Sequence, residues 1–130
     1  MKKLLYLSIA TLFLIACSKD QKAVKNLEGS WTRTAYKEAG VTIADTAVTT
    51  YKFTSCKVKK GDCLGELSSG GKTLPFTYNF TEKGEKFTMI FSLLGVTGAQ
   101  EGDVVEQTSD EFIFNYTDDS GVLVEETLSK

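Results

Sequence analysis

From Gly29 onward, large apolar and polar side chains alternate along the chain with a period of two, and turn residues interrupt the pattern at short intervals. Period two is the signature of strands with one buried and one wet face. The clearest run is Thr73–Thr81, where Leu74, Phe76, Tyr78 and Phe80 alternate with Pro75, Thr77 and Asn79. Tyr51 and Phe53 share a face within Ala47–Lys57, as do Phe87, Met89 and Phe91 within Lys86–Leu93. Phe112, Phe114 and Tyr116 do the same in Glu111–Thr117, and Val122, Val124 and Leu128 in Val122–Ser129. Gly29–Glu38, Cys63–Ser68 and Asp103–Thr108 complete eight candidate strands. The glycine-bearing segment Leu94–Gly102 is expected to be a connection, and its apolar stretch Leu93–Ala99 reads as a mobile portal loop, a partner-docking edge or an extension of the flanking strands. Ser69-Gly70-Gly71, Glu82-Lys83-Gly84-Glu85 and Asp118-Asp119-Ser120-Gly121 read as turns. Before Gly29 the chain is polar and lysine-rich, which predicts a short tether at 17–26 with one helical turn near Lys22–Leu27.

Strands joined by short turns pair as antiparallel neighbours. Eight of them form a two-sheet sandwich or a closed up-and-down barrel, and closure removes both exposed edges. An eight-stranded barrel has an interior just wide enough for side chains or one small ligand. The inward set comprises Trp31, Tyr51, Phe53, Phe76, Tyr78, Phe80, Phe87, Met89, Phe91, Phe112, Phe114, Tyr116 and Val124. Two readings stand for it: a lining that holds an apolar molecule, or a core packed solid by aromatics.

The first residues follow a different logic. Lys2 and Lys3 precede an apolar run from Leu4 to Ala16 that is broken only by Ser8 and Thr11. The run is shorter than the roughly 20 residues that span a bilayer and fits the h-region of a secretory signal. It ends in Leu14-Ile15-Ala16-Cys17. This sequence resembles the lipobox of bacterial lipoproteins, which implies a signal peptide at 1–16, cleavage before Cys17 and diacylation of its sulfur. The expected home is the cell envelope, with a lipid anchor as the membrane partner. Ser18 is not the Asp that favours inner-membrane retention in enteric bacteria, so an outer-membrane lipoprotein is expected. Lys19-Asp20 is a partial form of a surface-export signal, which leaves periplasm-facing and surface-exposed placements open.

Composition narrows the chemistry. The 130 residues contain no histidine, which excludes a Ser-His-Asp triad, a Cys-His pair and any His-ligated metal. The formal charge is −2, against the basic balance of nucleic-acid-binding domains. No Gly-rich phosphate loop and no spaced carboxylate pair stands out, so no catalytic residue, metal site or cofactor is assigned and no enzyme is expected. Asp118–Gly121 lacks the ligand alternation of a calcium loop, and Glu125 and Glu126 read as a solvated strand face. Lipidation of Cys17 leaves Cys56 and Cys63. In an oxidising compartment these are expected to form a disulfide flanking the Lys59-Lys60-Gly61-Asp62 tip, stabilising by roughly 2.5 kcal/mol in the chain-entropy model.

Leu27-Glu28-Gly29-Ser30-Trp31 opens the first strand and resembles the Gly-x-Trp signature of lipocalins. With the lipobox, the aromatic strand Thr50-Tyr51-Lys52-Phe53 and the strand count, residues 27–130 resemble the short lipocalin-like lipoproteins of Gram-negative bacteria. The resemblance implies an all-β, eight-stranded up-and-down barrel with a helical turn before the tryptophan, which plugs the closed end. Larger lipocalins stack a late arginine on that tryptophan. Here Arg33 is the only arginine, and Lys130 is the residue expected to take the role through a cation–π contact. The implied function is non-covalent binding of a small hydrophobic ligand. The alternative is an envelope module that binds or inhibits another protein, of the lysozyme- or protease-inhibitor type, through its loops.

Overall fold

The structure, a computed structural model, describes residues 19–130; the signal run, the lipobox and Cys17 lie outside the described residues. A short helix, α1 (19–27), precedes nine strands. These are β1 (Gly29–Glu38), β2 (Val41–Thr42), β3 (Thr49–Phe53), β4 (Cys63–Ser69), β5 (Lys72–Thr81), β6 (Lys86–Leu93), β7 (Val96–Gln107), β8 (Glu111–Thr117) and β9 (Leu123–Ser129). Every pairing is antiparallel. The order runs from β1 through β3 to β9, and β9 pairs back onto β1. The eight long strands therefore close an up-and-down barrel, and two-residue β2 only extends the end of β1. Closure rather than a sandwich follows from the β1–β9 ladder, which runs from Thr32↔Ser129 to Glu38↔Val124.

The up-and-down path sorts the connections into two ends. The β4–β5, β6–β7 and β8–β9 turns lie at the end where β1 finishes. The disulfide loop, the β5–β6 turn and the β7–β8 turn lie at the end where β1 starts. The second end is closed by α1. Ala23, Val24 and Leu27 fall on one face of this helix and are buried in the barrel core. Polar contacts fix it: Gln21 donates to the Cys56 carbonyl and accepts from Val58 N–H, Asp20 accepts from Gly84 N–H, and Gln107 donates to the Ala23 carbonyl. The expected tether is thus helical from residue 19 and packed as a plug, because its apolar residues recur at helical spacing and meet an open barrel end.

The disulfide joins Cys56 to Cys63 as expected. The expected 47–57 strand is shorter, Thr49–Phe53, so Cys56 lies beyond its end, and a turn of 3₁₀-helix follows at Val58–Lys60. Conversely, Leu94–Gly102 is not a long loop. Only Leu94 and Gly95 turn, and β7 begins at Val96. The helix-facing half of the barrel is filled by rings. Phe87 lies 5.0–6.3 Å, centroid to centroid, from Phe53, Tyr78, Phe80, Phe112 and Phe114. Phe76 fits the wall because Gly65 on β4 has no Cβ; one built there would overlap the Phe76 ring.

Candidate functional site

The two halves of the barrel differ because the strands carry different volumes on their inner faces. On β6 the inward Phe87, Met89 and Phe91 stand opposite Gly102, Gln100 and Gly98 of β7. Near α1 the β8 backbone at Asn115 and Tyr116 lies where a Cβ on Gly102 would stand, whereas near the open end a Cβ on Gly98 would meet nothing within 4 Å. The result is a cup of about 500 Å³. Its wall is apolar where Leu67, Leu74 and Phe91 face it, and its floor is polar, made by Arg33, Tyr51, Tyr116 and Glu126.

Glu126 is the centre of that floor. It lies between Val124 and Leu128 on the inward face of β9 and is 1% exposed. The expectation of a solvated face at Glu125 and Glu126 is therefore corrected for Glu126. Strand alternation carries it inward with its apolar neighbours, and three donors offset the cost of burial. Tyr51 Oη donates to Oε1 at 2.8 Å, Tyr116 Oη to Oε2 at 2.7 Å and Arg33 Nη1 to Oε1 at 3.0 Å. Arg33 also donates from Nε and Nη2 to Asp45 and from Nη2 to Thr49. A bulge in β1 between Arg33 and Ala35 inserts one residue, so Arg33 opposite Leu128 and Tyr36 opposite Glu126 both point inward. The Arg33 guanidinium then stacks on the Tyr36 ring at 4.6 Å. Among the described residues no buried side-chain nitrogen or oxygen lacks a partner.

The electrostatics follow from burial. Burial raises the pKa of Tyr51 and Tyr116 well above the usual tyrosine value, and the adjacent Glu126 charge raises both further. Both hydroxyls therefore stay protonated and donate to the carboxylate. Burial alone lowers the pKa of Arg33, but its bonds to Asp45 and Glu126 outweigh this and leave it raised.

The expected inward set divides between the two halves. Tyr51, Phe91 and Tyr116 line the cup. Trp31, Phe53, Tyr78, Phe80, Phe87, Met89, Phe112, Phe114 and Val124 are buried in the packed core and do not line it, while Phe76 is buried beside Phe91. Arg33, Tyr36, Gln100 and Glu126 join the site without having been singled out for it. The signal for Glu126 was its two-residue spacing from Val124 and Leu128, and for Arg33 its two-residue spacing from Trp31.

At the opposite end Trp31 is buried, donates from Nε1 to the Leu27 carbonyl at 2.8 Å, and carries Lys130 Nζ over its ring at 5.1 Å. Lys130 reaches there across Gly29, whose φ of +119° favours glycine and whose missing side chain leaves room for the lysine stem.

No family model and no curated protein matches the chain. Among solved structures the chain is similar to a redesigned β-barrel, at a TM-score of 0.53 and 16% identity, over 83% of this chain and 94% of that one. Likeness at that identity shows a shared barrel fold.

Proposed function

We propose that this chain is a lipocalin-like, lipid-anchored barrel that binds a small, largely hydrophobic molecule in its cup without covalent chemistry. The observation that carries the reading is the cup itself. At about 500 Å³ it falls within the roughly 300–1,000 Å³ of ligand pockets, and it combines an apolar wall with a few convergent polar groups. The lipocalin comparison draws support from the helix before Gly-x-Trp, the tryptophan at the closed end and the lysine above it. The anchor rests on the lipobox. Because α1 is already helical at residue 19, the first described residue, and packs on the closed end, a lipid on Cys17 holds that end at the membrane and turns the mouth away from it.

The test is to express residues 18–130 in a bacterial periplasm, purify the folded protein, extract it with organic solvent and analyse the extract by mass spectrometry. A Gly98→Phe variant, whose new ring enters the cup, is treated in parallel. The reading expects a stoichiometric small molecule from the parent chain and none from the folded variant. An empty parent extract, or the same cargo in both, contradicts it. For the anchor, labelled palmitate fed to cells is expected on the full chain and absent from Cys17→Ser.

One observation favours the second reading, an envelope module that docks another protein. The β6–β7 tip at the mouth is apolar and exposed, with Leu94 at 96% and Leu93 and Val96 beside it. An empty, stably folded barrel moves the function to this rim.

A further inference from the structure

Resting on the ligand-binding reading above, we infer that the cup selects by charge: it takes an amphiphile with a cationic, amine-type head and disfavours one with a carboxylate head. The inference follows from which polar atoms of the floor are already used. Among the described residues Arg33 is the only cation lining the cup. Of its five N–H groups, one goes to Glu126, two to Asp45 and one to Thr49. Its charge is shared between two carboxylates, and only one N–H, on Nη1, is left. A fatty acid entering the cup would find no free fork for its carboxylate.

What the floor does present is acceptors. Glu126 Oε1 takes two hydrogen bonds but Oε2 takes only that of Tyr116, leaving an acceptor position there. The Tyr51 and Tyr116 hydroxyls spend their protons on Glu126 and keep their own lone pairs. Asp119, at the β8–β9 turn, adds a further carboxylate to the lining. Counting Asp45 behind Arg33, the site holds three carboxylates against one guanidinium. Low-dielectric walls strengthen that excess relative to water. An ammonium group offers several N–H donors to these acceptors, and its alkyl chain lies along Leu67, Leu74 and Phe91.

The experiment compares decylamine, decanol and decanoate, which share one chain length and differ in head group, by calorimetric titration of delipidated residues 18–130 at pH 7. Decylamine is expected to bind at least tenfold more tightly than decanoate, with decanol between them and the gap narrowing as salt is added. Two variants follow. Glu126→Gln removes the central charge, and Asp119→Asn removes a rim charge without touching the buried network, so the test survives if the first variant is poorly folded. Each is expected to narrow the amine-to-acid ratio severalfold. Decanoate binding as tightly as decylamine overturns the charge inference and leaves the ligand reading standing, as does a ratio unchanged in both variants. Failure of all three probes to bind overturns the ligand reading and this inference with it.

Discussion

Replacing Glu126 with alanine removes the acceptor of three donors in a single step. Tyr51 is buried, and its hydroxyl has Glu126 as its acceptor; Tyr116 is in the same position, and Arg33 loses one of its two carboxylates. A buried donor left without a partner costs about 1–3 kcal/mol, and breaking a buried ion pair costs about 3–5 kcal/mol. The two penalties overlap, because both count the desolvation of Arg33, and Arg33 retains Asp45. Water entering from the cup satisfies part of what is lost. The net loss is therefore expected near 3–4 kcal/mol, a large share of the stability of a domain this small. Glu126→Gln gives the control. Its amide oxygen still accepts from Tyr51 and Arg33, and its N–H donates to the Tyr116 oxygen, so the loss should be about 1–2 kcal/mol. The assay is urea unfolding followed by Trp31 fluorescence and far-ultraviolet circular dichroism, extrapolated linearly to water. Equal m-values would show that the change lies in stability rather than in the unfolded state. A loss below about 1 kcal/mol for the alanine variant, or equal losses for both, would show that Glu126 does not hold the three donors.

Trp31→Ala should cost about 3–5 kcal/mol, as for other buried aromatics, and a loss below about 1 kcal/mol in the same assay would remove the tryptophan from its role as plug. Replacing Cys56 and Cys63 together with serine should cost roughly 2.5 kcal/mol, and the two cysteines of the purified soluble chain should resist alkylation until reduced; free thiols contradict the bridge. Burial raises the pKa of Tyr36, Tyr51, Tyr78 and Tyr116 above the ordinary value of about 10. The unfolded chain then releases tyrosine protons at lower pH than the folded chain, so stability is full below pH 10 and falls as pH rises above it. An ultraviolet pH titration should show tyrosinate appearing together with alkaline unfolding; a separate transition near pH 10 in the folded protein contradicts this.

Much of the barrel was legible because its strands bury one face. Large side chains at every second position located β1, β6 and β8 at their observed limits and β5 within one residue. The open end was harder. Leu94–Gly102 has the glycines of a loop, yet β7 is held by ladders on both sides, and cross-strand bonding overrides weak strand propensity. One of those glycines, Gly98, leaves room in the cup, so a residue that hid the strand also marks the site. Glu126 was misplaced for a related reason. Adjacent carboxylates such as Glu125 and Glu126 read as solvent-facing, and the partners of Glu126, Arg33, Tyr51 and Tyr116, lie 10 to 93 positions away along the chain. The β8–β9 hairpin sets Tyr116 beside Glu126, but only the closed β1–β9 ladder brings Arg33, and with it Tyr51 on β3, to the same place. The helix was underestimated because the lysines of its outer face masked the Ala23, Val24 and Leu27 stripe.

The most direct test of the account is to locate a bound ligand. Backbone amide resonances of isotopically labelled residues 18–130 would be mapped during titration with the molecule extracted from the protein or with decylamine. Saturable shifts are expected to be confined to the open half, centred on Leu67, Leu74, Phe91, Gly98–Gln100, Tyr116 and Glu126, with α1 and the disulfide loop unchanged. Shifts centred on the closed end or scattered over the outer surface of the barrel, or no saturable shift at all, would contradict binding in the cup.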